Sequence, residues 1–477
     1  MPQTIRPIRP REQPAWFQAF ASAFYIWQHD PNALAALRRR HFDPKRMVAA
    51  FDGDRIVGTF RTFDAKLTLP GGARVPVSSV TAVSVVPTHR RRGTLTRLMA
   101  DDVARSVARA DAASVLISAE WPIYGRFGYG PATWNAQWTL RVRAAQMTGE
   151  RNGTVEIIQP LQAREILPEL YELYAAAQPG ELSRPDDKWD VDLGLIELPG
   201  RPRWRGSIAV HRNAAGQLDG YARYRGEEVW PEGIPDNVLL LDELHGVTLA
   251  AELDMWRYVL QMDLTATIRA ETRREHEPLQ WYLGDARAAR VTALTDFLWV
   301  RPLDVGRLLR ERRYGRDGGL VIEVTDVVDG KPGPAAGRYQ LAVSGGVADC
   351  ARTDAAPDLT IEARTLGAAI LGGTRLVDAS RWSAAVEHRP GALAEADAIL
   401  RTAEPPWCST WFSGRTARCR PPGSVSRPRR PAQSPAAARR QATRSSCSSA
   451  CPSGVARPGR CGRGARRTSH RSPRCDA

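Results

Sequence analysis

The sequence predicts an α/β protein of three folded units followed by a chemically different tail. Three observations carry that expectation. Hairpin, strand, polar loop, helix and strand succeed one another between residues 47 and 118. The same order returns in weaker form between residues 208 and 260. A third run of strands and short helices fills residues 297–400. A length of 477 residues accommodates about three domains, each with a buried core.

In the first unit, Trp16, Phe17, Phe20, Phe24 and Trp27 recur at helical spacing between Glu12 and Trp27. Met47 to Phe51 and Arg55 to Phe63 read as a hairpin turned by Asp52-Gly53-Asp54. A strand from Ser79 to Val86 stops at Pro87, and a loop rich in arginine follows. The next helix carries Leu95, Leu98, Met99, Val103 and Val107 on one face, and Ser114 to Ser118 is a further strand. The polar loop thus sits at the C-terminal end of a strand, where open α/β sheets bind their ligands.

In the second unit, Ile208 to Arg212 and Gly220 to Arg225 pair as a hairpin, Val238 to Leu244 is a strand and Thr248 to Leu260 a helix. The loop between that strand and helix is only Leu244-His245-Gly246-Val247, without an arginine cluster, so this reads as a copy that has lost its ligand loop. In the third, Leu320 to Val328, Arg338 to Val343, Val347 to Arg352 and Leu359 to Ala363 are strands, and Leu366 to Leu371 and Ala392 to Leu400 are helices. It holds no titratable cluster that suggests catalysis and reads as a packing or oligomerisation domain.

Charge distribution restricts the partners. The chain has 67 Lys and Arg against 52 Asp and Glu, a net charge of +15 that by itself points to an anionic partner. Residues 413–477, however, contain 16 Arg, no Lys and one acid, Asp476, while residues 1–412 are neutral. The tail lacks Leu, Ile, Met, Phe, Tyr and Trp, so it cannot form a core and reads as disordered. It is read either as the out-of-frame end of a GC-rich coding region or as a basic arm that binds nucleic acid nonspecifically. Its cysteines, Cys419, Cys447, Cys451, Cys461 and Cys475, lack paired zinc spacing, and no metal is expected. Only Cys350 and Cys408 remain in the body, no stretch is long and apolar enough to span a bilayer, and the first ten residues lack a signal-peptide core. The expected setting is the cytoplasm, with no membrane partner.

The most informative stretch runs Val83-Ser84-Val85-Val86-Pro87-Thr88-His89-Arg90-Arg91-Arg92-Gly93-Thr94-Leu95-Thr96. It places R-x-x-G between a strand end and a helix start. Free N–H groups and the helix dipole there attract an anion, Gly93 permits close approach, and Arg90, Arg91 and Arg92 add charge and bidentate donors. The competing reading is a solvated basic turn with a helix cap.

V-x-V-x-P-x-x-R-R-x-G resembles the acetyl-CoA loop of the GNAT N-acetyltransferases. Together with Ala119-Glu120-Trp121-Pro122-Ile123-Tyr124-Gly125-Arg126-Phe127-Gly128-Tyr129-Gly130-Pro131-Ala132, it resembles the Eis (enhanced intracellular survival) acetyltransferases. The resemblance spans residues 1–412 and implies a catalytic GNAT domain (1–146), a degenerate GNAT domain (147–296) and a sterol-carrier-like α+β domain (297–412), assembled as a homohexamer. Leu95 departs from the Gly or Ala common at its position in such loops.

The resemblance also implies the chemistry: acetyl transfer from acetyl-CoA to an aminoglycoside-like or lysine-like amine. Val83, Ser84 and Val85 would line the pantetheine and thioester, with a backbone N–H polarising the carbonyl. Arg90 and the run Arg91, Arg92, Gly93, Thr94, Leu95 and Thr96 would hold the pyrophosphate. Tyr124 would protonate the leaving thiolate, with Tyr129 as the rival. In this family the base is the free α-carboxylate of a terminal aromatic residue, a place that Phe412 fills. Its peptide bond to Ser413 would replace that base with a neutral carbonyl, so a catalytically impaired acetyl-CoA or apolar-ligand binding protein is the alternative. The helix at Glu12 to Trp27 is either an aromatic wall of the acceptor pocket or an ordinary core helix. His29, His41 and His89 have no partner spacing and read as structural.

Overall fold

The computed structural model describes residues 3–24, 30–38, 43, 45–198, 202–382 and 385–412. Trp27, His29, His41 and the whole tail from 413, with its cysteines and its proposed nucleic-acid arm, lie outside the described residues.

The chain begins with β1 (Thr4–Pro7), α1 (Gln13–Ala23) and α2 (Pro31–Arg38), then β2 (Met47–Asp52), β3 (Arg55–Thr68) and β4 (Arg74–Val85). Next come α3 (Thr94–Ala108), β5 (Ala113–Ile117), α4 (Trp121–Tyr124) and β6 (Gly130–Pro131). The hairpin and α3 form close to where periodicity places them. β4 begins five residues before the expected Ser79, because Arg74 to Ser78 continue the antiparallel ladder with β3. Trp16 and Phe17 of α1 are buried, and the Trp16 indole donates to the Val48 carbonyl at 3.0 Å, so this face of α1 is core. Phe24 lies 44% exposed on its outer side.

The second sheet begins with β7 (Trp134–Arg141) and β8 (Gly153–Ile158), followed by α5 (Pro160–Ala177), α6 (Asp186–Asp192), β9 (Ser207–Asn213), β10 (Leu218–Glu227) and β11 (Asn237–Gly246). It continues through α7 (Leu249–Leu260), β12 (Thr265–Arg273) and β13 (Ala289–Asp296). After β14 (Leu298–Pro302) and α8 (Val305–Glu311) come β15 (Gly318–Thr325), β16 (Val327–Val328), β17 (Lys331–Pro332), β18 (Gly337–Ser344) and β19 (Val347–Arg352). The last elements are β20 (Leu359–Glu362), α9 (Ala363–Ala369), α10 (Leu376–Trp382), β21 (Ala385–Glu387) and α11 (Ala392–Leu400).

The single strand expected from Leu320 to Val328 is broken at Asp326, whose carboxylate turns inward to Arg301 and accepts the Ala335 N–H. The helix expected from Leu366 starts earlier, at Ala363.

The sheets run β1-β2-β3-β4-β5-β14-β6, β13-β7-β12-β11-β10-β9-β8 and β19-β18-β15-β20-β21. The first two exchange strands. β7, inside the expected first unit, lies between β12 and β13 of the second sheet, and β14, inside the expected third unit, completes the first sheet beside β5. Divisions at 146 and 296 therefore cut across both sheets. The third sheet shares one core with the first, running from Leu67, Val77 and Val300 to Leu320, Leu366 and Ile399. Among the described residues, no helix is long and apolar enough to cross a membrane.

Candidate active site

The cleft is made by β4. Its parallel pairing with β5 covers only Val77 to Val80, while its antiparallel pairing with β3 continues to Val85. β5 meanwhile turns to β14, pairing Ile117 with Leu298. From Thr81 onward one edge of β4 has no strand partner among the described residues, leaving backbone donors and acceptors for a ligand or water.

A β-bulge sits at this point. Thr59 pairs with Ser84 but Arg61 with Thr81, and Ala82 takes φ 51°, the left-handed region that a residue with a Cβ rarely enters. The Thr59 hydroxyl stabilises it, reaching the Ala82 carbonyl at 2.8 Å and the Ser84 hydroxyl at 2.7 Å. Of the expected pantetheine residues, Ser84 therefore turns its side chain toward β3. What Ser84 can offer a ligand is backbone, while Val83 and Val85 are half-buried.

The arginine loop lies at the mouth. Arg90, Arg91, Arg92 and Gly93 are exposed, and both Arg91 (φ 62°) and Gly93 (φ 75°) are left-handed. A Cβ on Gly93 would meet nothing, so its role is conformational: it turns the chain into α3. No side chain caps α3 and no acid lies in its first turn, so the amides of Thr94, Leu95 and Thr96 face the loop unopposed. The Thr94 hydroxyl is engaged elsewhere, donating to Gln3 at 2.7 Å, and Leu95 packs on the core. His89 is buried between Thr88 and Asp52, with ring contacts of 2.8 and 3.1 Å, which fits a structural role.

The two tyrosines of the Gly-rich motif separate clearly. Tyr129 is fully buried and its hydroxyl pairs with Ser114 at 2.7 Å. Tyr124 is half-buried at the end of α4, its ring 6.1 Å from that of Tyr129, and no hydrogen bond joins its hydroxyl to another described residue. Burial, and then the charge of Glu120, push its phenol up to about 12. The loop that carries it is pinned from behind: Arg301, fully buried on β14, donates to the Phe127 carbonyl and forms a two-point ion pair with Asp326 at 3.0 and 2.9 Å. A Cβ on Gly130 would strike the Arg364 carbonyl and the Ala368 N–H of α9, which explains a glycine where the third domain packs.

Phe412 reaches the bulge from the other side. The Thr81 hydroxyl donates to its carbonyl oxygen at 2.8 Å, and its ring meets Phe63 edge to face at 5.3 Å. Tyr124 packs with the first sheet's core and Phe412 with the shared one. The residues that composition and spacing did not single out are Thr81, the Ala82 bulge and Arg301. Of these, Thr81 and Ala82 immediately precede the motif that starts at Val83, whereas Arg301 adjoins none.

In comparisons with known proteins, residues 4–132 and 180–303 each match an acetyltransferase (GNAT) domain family, and residues 305–409 match the sterol carrier protein domain. An uncharacterized N-acetyltransferase of Streptomyces avermitilis is 37% identical over 414 residues, 86% of this chain and 98% of that protein. The N-acetyltransferase Eis of Mycobacterium bovis is 33% identical over 331 residues, 68% of this chain and 77% of its own. Eis1 from Mycobacterium abscessus superposes with a TM-score of 0.75 at 28% identity, across 86% of this chain and all of that one. A GCN5-related N-acetyltransferase from Kribbella flavida, at 20% identity and TM-score 0.67, shares the fold across 86% of this chain and 98% of its own. Relatives alike along most of their length, one of them bearing the family's name, allow one assignment: the chain is an acetyltransferase and belongs to the Eis family of GNAT N-acetyltransferases.

Proposed function

We propose that the enzyme transfers the acetyl group of acetyl-CoA to an aminoglycoside-like or lysine-like amine by direct attack. The open edge of β4 beyond Val80 receives the pantetheine, and the exposed Arg90 to Gly93 loop with the uncapped start of α3 receives the pyrophosphate. The amine nitrogen attacks the thioester carbonyl, the new C–N bond forms as C–S breaks, and the sulfur takes the Tyr124 proton. A phenol held near 12 is fully protonated at neutral pH. Because the thiol formed is the stronger acid, the transfer must accompany C–S cleavage. In a chain that ends at Phe412, the proton lost by the amine goes to its free α-carboxylate.

The observation that carries this reading is the seat of Phe412, with its carbonyl oxygen on Thr81 beside the bulge. Residues 413–477 are then an out-of-frame extension whose consequence is a masked base. A homohexamer acting in the cytoplasm completes the proposal.

The test compares acetyl-CoA turnover by a chain ending at Phe412 with turnover by all 477 residues. The shorter chain is expected to be faster by about 10²-fold or more. Equal rates would remove Phe412 as the base. No turnover by either with polyamines, aminoglycosides or lysine peptides would favour an impaired acetyl-CoA or apolar-ligand binding protein.

A further inference from the structure

A terminal carboxylate can serve as a base only if the chain end is held still, and residues 407–412 have no regular secondary structure of their own. We propose that Glu181 and Arg184 are positioning residues that clamp this strap, so that the second domain serves as the mount for the first domain's base. The proposal rests on the Phe412 reading above.

Nearly every polar group that grips the strap comes from the second domain. The Trp407 N–H donates to the Pro179 carbonyl at 2.9 Å. Glu181, fully buried, accepts the Ser409 N–H at 2.8 Å and the Ser409 hydroxyl at 2.7 Å. Arg184 donates to the Ser409 and Thr410 hydroxyls, both at 3.0 Å, and the Tyr171 hydroxyl adds a contact of 2.8 Å to Thr410. The Trp411 indole donates to Thr272 at 3.1 Å. Phe412 then arrives at Thr81 and Phe63.

The clamp itself is stitched to the first sheet. Gly180 donates to the Thr68 carbonyl at 2.8 Å, Thr68 to the Glu181 carbonyl at 3.0 Å and Ser183 to the Lys66 carbonyl at 3.0 Å. These residues continue β3 from Phe63, the ring on which Phe412 rests. Strap, clamp, β3 and Phe412 thus form a closed mechanical circuit. Arg184 is held in turn by Glu243 at 2.6 Å and lies over the Tyr171 ring at 3.8 Å. Burial opposes the Glu243 charge, but Arg184, His245 and Arg223 hold its carboxyl well below the usual range, so the ion pair stays formed at any working pH.

Cys408 supplies a reporter independent of activity. It is fully buried with Sγ 3.6 Å from Glu181, and burial pushes its thiol well above the ordinary range, so it is inert while the strap is seated. Cys350, buried in the third domain, serves as the internal control. In the full chain, maleimide labelling mapped by mass spectrometry separates these two from the tail cysteines. Kinetics use the chain ending at Phe412, since the four hydrophobic cores all lie within residues 5–412.

Arg184→Met is expected to speed Cys408 labelling about tenfold or more with Cys350 unchanged. In the shorter chain it should lower kcat by about 10²-fold while KM for acetyl-CoA stays within about twofold. Where Cys350 is also exposed, the variant has unfolded. The double variant Ser409→Ala/Thr410→Val, which removes the strap's half of the same contacts, then decides by the same readings. Cys408 as protected as in the parent overturns the clamp. Exposure of Cys408 without loss of kcat, in a protein whose rate does depend on ending at Phe412, overturns the positioning role. If the rate is indifferent to that ending, the Phe412 reading fails and takes the positioning role with it, whereas Cys408 exposure alone would still mark a structural anchor.

Discussion

At the end of β4 the chain parts from β5 after Val80, and the edge beyond has no strand partner among the described residues; at the end of β11 the corresponding space is occupied. There Arg273 donates to the Leu244 carbonyl and pairs with Glu252 and Glu277, while Trp407 enters beside Tyr174 and His245. The helix starts differ in the same sense. α3 follows Gly93 with no side-chain cap and no acid in its first turn, whereas α7 is capped by Thr248, which accepts the Ala251 N–H at 3.1 Å, and carries Glu252 in its first turn. One cleft leaves its donors for an external anion, and the other supplies its own anion and its own plug. The difference between the clefts is whether internal partners fill them among the described residues.

The contrast can be broken at several points. Tyr124→Phe, in the chain ending at Phe412, is expected to lower kcat by about 10²- to 10⁴-fold while leaving KM for acetyl-CoA nearly unchanged, as steady-state kinetics would show. Arg273→Met in the filled cleft leaves Glu252 and Glu277 with Arg274 alone and should cost about 3 kcal/mol in denaturant melts, without changing acetyl-CoA affinity.

Buried acids offer a third comparison. Glu252 and Asp254 of α7 are each paired with arginine, whereas Asp102 of α3 has one carboxylate oxygen without a partner among the described residues. Burial raises its carboxyl from 3.8 to about 7, against the pull of Arg109 and Arg46. The unfolded chain therefore ionises first, so the stability that Asp102 contributes is full below about pH 4 and is lost as pH rises toward 7. Asp102→Asn should be the more stable form at pH 8, by roughly 2–4 kcal/mol, with the gap in Tm closing by pH 4. The smallest effect is expected from Arg91→Ala/Arg92→Ala, which should raise KM for acetyl-CoA about tenfold and weaken its dependence on salt.

Local patterns explain how much of this was legible in advance. The Asp-Gly turn marks the β2–β3 hairpin, the apolar face of α3 marks that helix, and the arginine loop between strand and helix marks the open cleft. The short loop after Leu244 likewise marks the filled one. What sequence patterns do not reveal is non-local. β7 and β14 change sheets because of partners more than a hundred residues away, such as Ile268 for Leu140 and Leu116 for Trp299. The bulge at Ala82 depends on a hydroxyl of β3, and Glu181 and Arg184 acquire their role only when residues 407–412 fold back onto them. No spacing within the chain encodes such meetings.

The most direct test of the contrast between the clefts is the stoichiometry of acetyl-CoA binding, measured by titration calorimetry on the full chain. One site per chain is expected, weakened by Arg91→Ala/Arg92→Ala and indifferent to Arg273→Met. Two sites per chain, or one that survives loss of the arginines and disappears with Arg273→Met, would contradict it.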